Sequence, residues 1–127
     1  MNMLEVFNKV EAHLLTQGEA SMSGYMGLSD VCAYRGEGNR KCAIGCLIKD
    51  EFYHRGLEGI GMWGEKRQIQ QRHRPLHEAL TASGITNISD TQARMLNDLQ
   101  YLHDTIKPED WEQELQKLRL EYFGDDK

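Results

Sequence analysis

The chain has 127 residues and a mass of 14.6 kDa, which favours a single globular domain over residues 1–127. Hydrophobic residues make up 39% of it and the mean hydropathy is -0.64, so the sequence is polar yet has enough apolar side chains for a core. Its apolar runs are too short for a membrane span. A net charge of -5 argues against a protein that coats nucleic acid.

The cysteines and the N-terminus predict a cytoplasmic protein. Cys32, Cys42 and Cys46 are an odd number and cannot form a closed set of disulfides. Residues 1–15 carry charges within an apolar pattern and have no small-residue cleavage site, so they predict a helix and not a signal peptide. We therefore expect reduced thiols in the cytoplasm.

The hydrophobic spacing predicts a mainly α fold of four to five helices, with an α+β fold as the alternative. The first helix covers residues 2–17, and a loop rich in glycine and serine follows over residues 18–30. One small β-hairpin is expected next, with strands at 31–35 and 40–42 and a turn at 36–39.

The pattern becomes helical again at Cys42. A helix is predicted from Cys42 to residue 55, followed by a glycine-rich loop at 59–64. Pro75 is suited to the first turn of a short helix that ends at Ala82.

Two stronger helices follow. Ser89 begins a capping-box sequence, and apolar residues then recur at three- and four-residue spacing up to Ile106. Pro108 separates this helix from a last one, which ends before Gly124. Because the two helices are joined by so short a connection, they are expected to form an antiparallel pair.

Residues 34–59 and 99–104 resemble a family of small uncharacterised bacterial and phage proteins. The first segment reads YRGEGNRKCAIGCLIKDEFYHRGLEG, which is similar to the family pattern YRG, KCAIG, LI-x-DE-x-Y and EG. The second reads LQYLHD. The resemblance spans most of the chain and implies, by analogy, an accessory role such as host takeover or counter-defence, without a defined activity.

Glycines and cations before the predicted helix at Cys42 indicate a candidate site for a small anion. Glycines let backbone amides approach an anion, and both a helix start and nearby cations favour negative charge. A plain hairpin turn accounts for the same residues and is the simpler interpretation. The candidate ligand-binding residues are Arg35, Gly36, Gly38, Arg40 and Lys41.

Cys42 is the candidate nucleophile of an alternative, enzymatic interpretation. A helix start and the adjacent Arg40 and Lys41 lower a thiol pKa, and His103 is the candidate base. Asp104 is expected to be badly placed to orient His103, because adjacent helical side chains diverge. A buried structural cysteine is the favoured interpretation, so no catalytic residue is assigned.

Cys42, Cys46, Asp50 and His54 follow one another at intervals of four residues, which is a spacing for paired metal ligands. Twelve residues of helix span roughly 18 Å, so all four side chains cannot hold one ion. A structural zinc site needs further cysteines or histidines. We therefore predict no metal and no cofactor.

Asp50 and Glu51 are consecutive carboxylates. A general acid and base must converge on one substrate, whereas consecutive helical side chains diverge. An ion pair from either carboxylate to Arg35 or Lys41 is therefore the expected arrangement.

Residues 62–74 hold the candidate partner surface. Large apolar residues between glycines either fill the core or form a contact patch. The basic run at 66–74 is either a solvated surface or a surface for phosphates or an acidic partner. The candidate contact residues are Met62, Trp63, Arg67, Arg72 and Arg74.

Taken together, these features predict a small accessory protein without enzymatic activity. Its expected partner is a host protein or a small anionic ligand; nucleic acid and membrane are not expected, and an oligomer is left open. A cysteine-dependent enzyme with Cys42 as nucleophile is the alternative.

Overall fold

The computed structural model describes residues 2–19, 22–23, 31–32, 34–35, 40–58, 62, 71–86 and 88–124. Within these residues the fold is mainly helical, as the sequence predicts, and short 3-10 turns supplement the α-helices. The α-helices of the described residues are α1 (Met3–Gln17), α2 (Arg74–Ala82), α3 (Asp90–Thr105) and α4 (Trp111–Phe123).

Helix α1 begins with a reciprocal cap. The Asn2 side chain accepts a hydrogen bond from the Glu5 N–H at 2.8 Å, and the Glu5 carboxylate accepts one from the Asn2 N–H at 2.9 Å. Gly18 ends the helix with a φ of 67°, a left-handed conformation that glycine adopts without strain. The buried face of α1 consists of Val6, Phe7, Val10 and Leu14.

Extended structure is limited to short pairings. Strands β1 (Met22–Ser23) and β2 (Val31–Cys32) pair antiparallel, and a separate antiparallel bridge joins Arg35 to Lys41. The bridge falls where the two strands of the expected hairpin meet. Apart from this bridge, the expected hairpin of 31–35 with 40–42 is not seen in the described residues, because Val31–Cys32 pairs with Met22–Ser23 instead. The expected turn at 36–39 lies outside the described residues.

The prediction of a helix from Cys42 to residue 55 is wrong. The segment instead forms 3-10 turns at Gly45–Leu47, Asp50–Phe52 and Arg55–Leu57, joined by extended residues. Residues 42–45 and 47–48 are all buried. A helix with one apolar face leaves part of such a run in solvent, whereas alternating turns and extended residues bury all of it.

Helices α3 and α4 form the expected antiparallel pair. Near the start of α3, the Arg94 Nε donates to the Tyr122 hydroxyl near the end of α4 at 3.0 Å. At the other end, the Trp111 indole donates to the Ile106 carbonyl at 2.9 Å and closes the connection.

The core is shared by the four α-helices and the segment 42–57. Helix α1 packs against α3, α4 and the turn Gly45–Leu47, so the segment 41–51 lies beside the exposed edge of α1. None of the helices in the described ranges is long and apolar enough to cross a membrane. The largest fully buried side chains include Trp111, Phe7, Leu47 and Met62.

Candidate functional site

Cys42 lies in the core and not at a helix start. Its side chain is fully buried, and the Gly45 N–H donates to its Sγ at 3.3 Å. Burial raises the pKa of the Cys42 thiol, and the negative charge of Asp104 raises it further, although the Gly45 hydrogen bond acts in the opposite direction. These findings contradict the helix-start and pKa arguments for Cys42 as a nucleophile.

His103 is a buried histidine held by packing. Its ring stacks on Trp111 with a centroid distance of 5.6 Å, and its Nδ1 lies 2.8 Å from Oδ1 of Asp104. The expectation that Asp104 cannot orient His103 is therefore wrong, because the carboxylate turns along the helix surface toward the adjacent ring. Because the Cys42 thiol is buried in the core, we interpret the contacts of His103 with Asp104 and Trp111 as structural.

The predicted anion-binding cations are engaged by carboxylates. Arg35 forms an ion pair with Asp50, which confirms the predicted pairing, and Arg40 pairs with Glu19 at 2.6 Å. Hydrogen bonding from Arg35 holds the pKa of the exposed Asp50 carboxyl below its usual range. Gly36 and Gly38 lie outside the described residues.

Glu58 fixes the backbone beside Arg35, a role that the sequence analysis missed. Its carboxylate accepts hydrogen bonds from the N–H groups of Tyr34 at 2.9 Å and Arg35 at 3.2 Å, and from the Tyr53 hydroxyl at 2.6 Å. Burial and the Glu58 carboxylate raise the pKa of Tyr53 to about 12. The only sequence signal for this residue was its place in the family resemblance.

An open pocket of about 420 Å³ is lined in part by Asp50, the partner of Arg35, and we call it the lysine pocket. Lys9 reaches it from the exposed side of α1, and Lys41 and Lys49 come from the segment 41–51. Asp50 and Glu51 line the same pocket. In the described part of the chain, Lys9 and Lys49 form no ion pair, so their ammonium groups are available to a ligand.

The backbone of the lysine pocket is held in place from two sides. The Lys41 N–H donates to the Gln17 side chain at 2.8 Å, and the Lys41 carbonyl is bound by Gln17 Nε2 at 3.0 Å and lies 2.8 Å from His13 Nε2. The Lys49 N–H donates to the Ser83 hydroxyl at 2.9 Å. These bonds attach the pocket to α1 and to the end of α2.

Cys46 contributes a protonated thiol to the lysine pocket. Its Sγ donates to the Ala43 carbonyl at 3.1 Å. Burial raises its pKa to about 12, although Lys9 and Lys41 act in the opposite direction. A neutral thiol is neither a nucleophile nor a metal ligand.

The metal-ligand spacing does not produce a cluster. Since the segment from Cys42 to His54 is not a helix, its four-residue intervals do not place the side chains on one face. No three histidine, cysteine, aspartate or glutamate side chains among the described residues are grouped to hold an ion.

The candidate partner surface is changed at its apolar end. Met62 is 1% exposed and fills the core. Its assignment as a candidate contact residue is therefore wrong, and the other interpretation, that it fills the core, holds. The Met62 carbonyl lies 2.8 Å from His77 Nε2, which ties it to α2. Arg74 is exposed on α2, whereas Trp63, Arg67 and the Arg72 side chain lie outside what the structure describes.

A second open pocket, of about 560 Å³, lies between α3 and α4. Its cations are paired with its own carboxylates: Arg94 lies 2.5 Å from Glu121, and Lys117 lies 3.0 Å from Glu114. The lysine pocket is therefore the better candidate for a charged ligand.

Comparison with known proteins finds no match among family models, curated proteins or solved structures. The resemblance to small bacterial and phage proteins therefore stays a prediction.

Proposed function

We propose that this chain is a small binding protein whose lysine pocket takes a small anionic ligand. The observation that carries the proposal is the convergence of Lys9, Lys41 and Lys49 on one open pocket of about 420 Å³. Its described lining holds three lysines against two carboxylates, Asp50 and Glu51, which leaves an excess of one positive charge in a chain whose net charge is -5. Small anions are thereby drawn to this place on an otherwise acidic molecule.

The size and the rigidity of the lysine pocket support binding of a small molecule. Ligand pockets are commonly about 300–1,000 Å³, and this one lies at the lower end of that range. The hydrogen bonds that the N–H groups of Lys41 and Lys49 donate to Gln17 and Ser83 fix the backbone of these two lysines. Less ordering is therefore needed when a ligand binds.

The anion site differs from the one expected from the glycine pattern. Lys41 belongs to both, but Arg40 is paired with Glu19, and Lys9 and Lys49 replace it in the lysine pocket. Lys9 enters from α1, which is distant in sequence from the other two lysines.

A binding role suits these residues better than cysteine chemistry, because both thiols with described side chains have raised pKa values. The family resemblance supports an accessory role in a bacterial or phage-infected cell, carried out in the cytoplasm. Binding of a host protein remains the competing form of this accessory role.

The test is a titration with inorganic phosphate at constant ionic strength, followed by the amide chemical shifts of residues 41–51. We expect saturable shifts, and we expect the double variant K41M/K49M to bind at least ten times more weakly. Each charge-assisted contact contributes about 1.5–3 kcal/mol, and methionine keeps the length of the side chain without its charge.

The matched control is K107M/K117M, which makes the same change in net charge at exposed positions outside the pocket. It should bind phosphate as the wild type does. Equal weakening in both double variants, or shifts that never saturate in the wild type, would show that the lysine pocket is not a specific site.

A further inference from the structure

Asp50 forms ion pairs with two cations beside the lysine pocket, Arg35 and Lys41. Its Oδ1 contacts Nη1 of Arg35 and lies 3.8 Å from Nζ of Lys41. The two cations converge because their backbones face one another across the antiparallel bridge. One carboxylate oxygen is therefore placed where an oxygen of a bound anion would meet the same two groups.

Arg35 is held in position by groups other than Asp50. Its Nη2 donates to the Ile48 carbonyl at 2.6 Å, and its guanidinium lies over the Tyr53 ring, 4.8 Å from the centroid. Its Nε is buried and has no hydrogen-bond partner among the described residues. If Asp50 moves away, Arg35 stays oriented and its Nη1 becomes free to donate.

Asp50 itself is poorly anchored. Its side chain is 83% exposed and lines the pocket, whereas Arg35 is not among the described pocket-lining residues. The Arg35 partner is largely buried, but solvent reaches the Asp50 carboxylate freely, which weakens the pair and lets another anion approach and replace it. Asp50 thus covers Arg35 on the pocket side with a charge that an incoming anion can replace.

A tethered carboxylate competes unequally with different anions. A free monoanion only replaces one negative charge by another, and it must overcome the high effective concentration of a group on the same chain. A phosphate monoester carries a charge of about -1.5 to -2 near neutral pH and three acceptor oxygens. It can bind Arg35 and Lys41 together and still use the ammonium group of Lys49.

We infer that Asp50 is a built-in competitor that restricts the lysine pocket to dianionic ligands of the phosphate monoester class. The inference rests on the proposed function of that pocket and adds a specificity-determining residue to it. Displacement of Asp50 recruits Arg35. Among the described residues, the ligand-bound site then has Arg35 in addition to the three lysines that line the pocket before binding.

The experiment compares two probes that differ in charge but share phosphorus chemistry, methyl phosphate and dimethyl phosphate. Both are titrated at pH 8 and constant ionic strength, and binding is followed by amide chemical shifts. The wild type should bind methyl phosphate at least tenfold more tightly. In D50N the affinity for dimethyl phosphate should rise at least fivefold, and the preference for the dianion should shrink.

Two further variants make the result decisive. D50N still leaves an amide group beside Arg35, whereas D50A leaves only a methyl group. The gain in affinity for dimethyl phosphate should therefore be as large in D50A as in D50N, or larger. E78Q removes the charge of an exposed carboxylate on α2 that is not among the lining residues of the lysine pocket and forms no ion pair in the described part of the chain, so it should leave the preference unchanged. Because Asp50 is exposed, we expect its variants to fold as the wild type does, and a thermal melt checks this.

The outcomes separate this inference from the proposed function. If methyl phosphate binding depends on Lys41 and Lys49 but D50N and D50A behave like E78Q or bind more weakly, the competitor role of Asp50 is wrong and the anion pocket stands. If no variant binds methyl phosphate in a lysine-dependent manner, the anion pocket is wrong and the role of Asp50 with it.

Discussion

The thiols of Cys42 and Cys46 are governed by burial and not by the cations near them in sequence. Burial raises the pKa of Cys42 despite the Gly45 hydrogen bond, and it raises the pKa of Cys46 to about 12 despite the nearby lysines. Removing water from a group of this kind disfavours its charged form more strongly than a neighbouring ammonium group favours it.

We therefore predict slow alkylation of both thiols in the native protein. With iodoacetamide at pH 7.5, each should react at least ten times more slowly than in urea, because the thiolate is the reactive form. Cys46 should react before Cys42, since it is partly exposed. Peptide mapping by mass spectrometry separates the sites, and fast modification of Cys42 alone would restore the nucleophile interpretation.

Individual residue pairs were predictable where charge alone decides. The sequence predicts an ion pair of Asp50 or Glu51 with Arg35 or Lys41, and the structure pairs Asp50 with both cations. The burial of Cys42 follows from its apolar neighbours. Lys9 was not predictable as a site residue, because nothing near it in sequence indicates that α1 packs beside residues 41–51.

At the scale of elements, local signals placed the helices and failed for the segment 42–57. Helices α1 and α3 begin at side-chain caps, such as Ser89, whose hydroxyl accepts from the Gln92 N–H at 3.1 Å, and α2 begins with a proline in its first turn. The segment 42–57 has no such cap, and its form is set by burial against α1 and by a close approach of Gly45 to Tyr34.

That close approach makes Gly45 sensitive to substitution. A Cβ at this position would lie 2.2 Å from the Tyr34 carbonyl oxygen and 2.9 Å from its Cα, both of which are backbone atoms that cannot rotate away. We expect G45A to lower the free energy of unfolding by about 3 kcal/mol, at the upper end of the cost of overpacking.

Urea unfolding measures this loss, and G18A is the matched control. A Cβ at Gly18 meets no heavy atom within 4 Å, but φ is +67° there, so we expect a loss of about 1–2 kcal/mol from backbone strain alone. A smaller loss for G45A than for G18A would show that Gly45 and Tyr34 are not in such close contact.

On the scale of the whole molecule, the antiparallel pair of α3 and α4 was predictable and the pocket was not. The pair follows from two apolar stripes and a short connection that contains Pro108. The lysine pocket depends on side chains brought together from α1 and a segment without regular structure, so its assembly is decided by long-range packing.

The same long-range packing makes the stability of the protein depend on pH on the alkaline side. Among the described residues, five acidic groups have pKa values raised above their ordinary values in the folded chain, chiefly by burial: Cys42, Cys46, Tyr34, Tyr53 and Tyr122. Each is neutral when protonated, so folding favours the protonated form. Their contribution to stability is fully present below the unfolded-state pKa and is lost as pH rises from there to the folded-state pKa.

We therefore expect the urea midpoint to stay level between pH 7 and 8 and to fall above pH 9, the ordinary pKa of a thiol. Each group that ionises only on unfolding lowers the free energy of unfolding by about 1.4 kcal/mol per pH unit. C42A should flatten the decline, because it removes the most deeply buried of the five groups. V10A, which truncates a fully buried apolar side chain, should lower stability equally at every pH and keep the slope. If C42A and V10A decline in parallel with the wild type, Cys42 ionises alike in the folded and unfolded chains, and its burial does not control its proton.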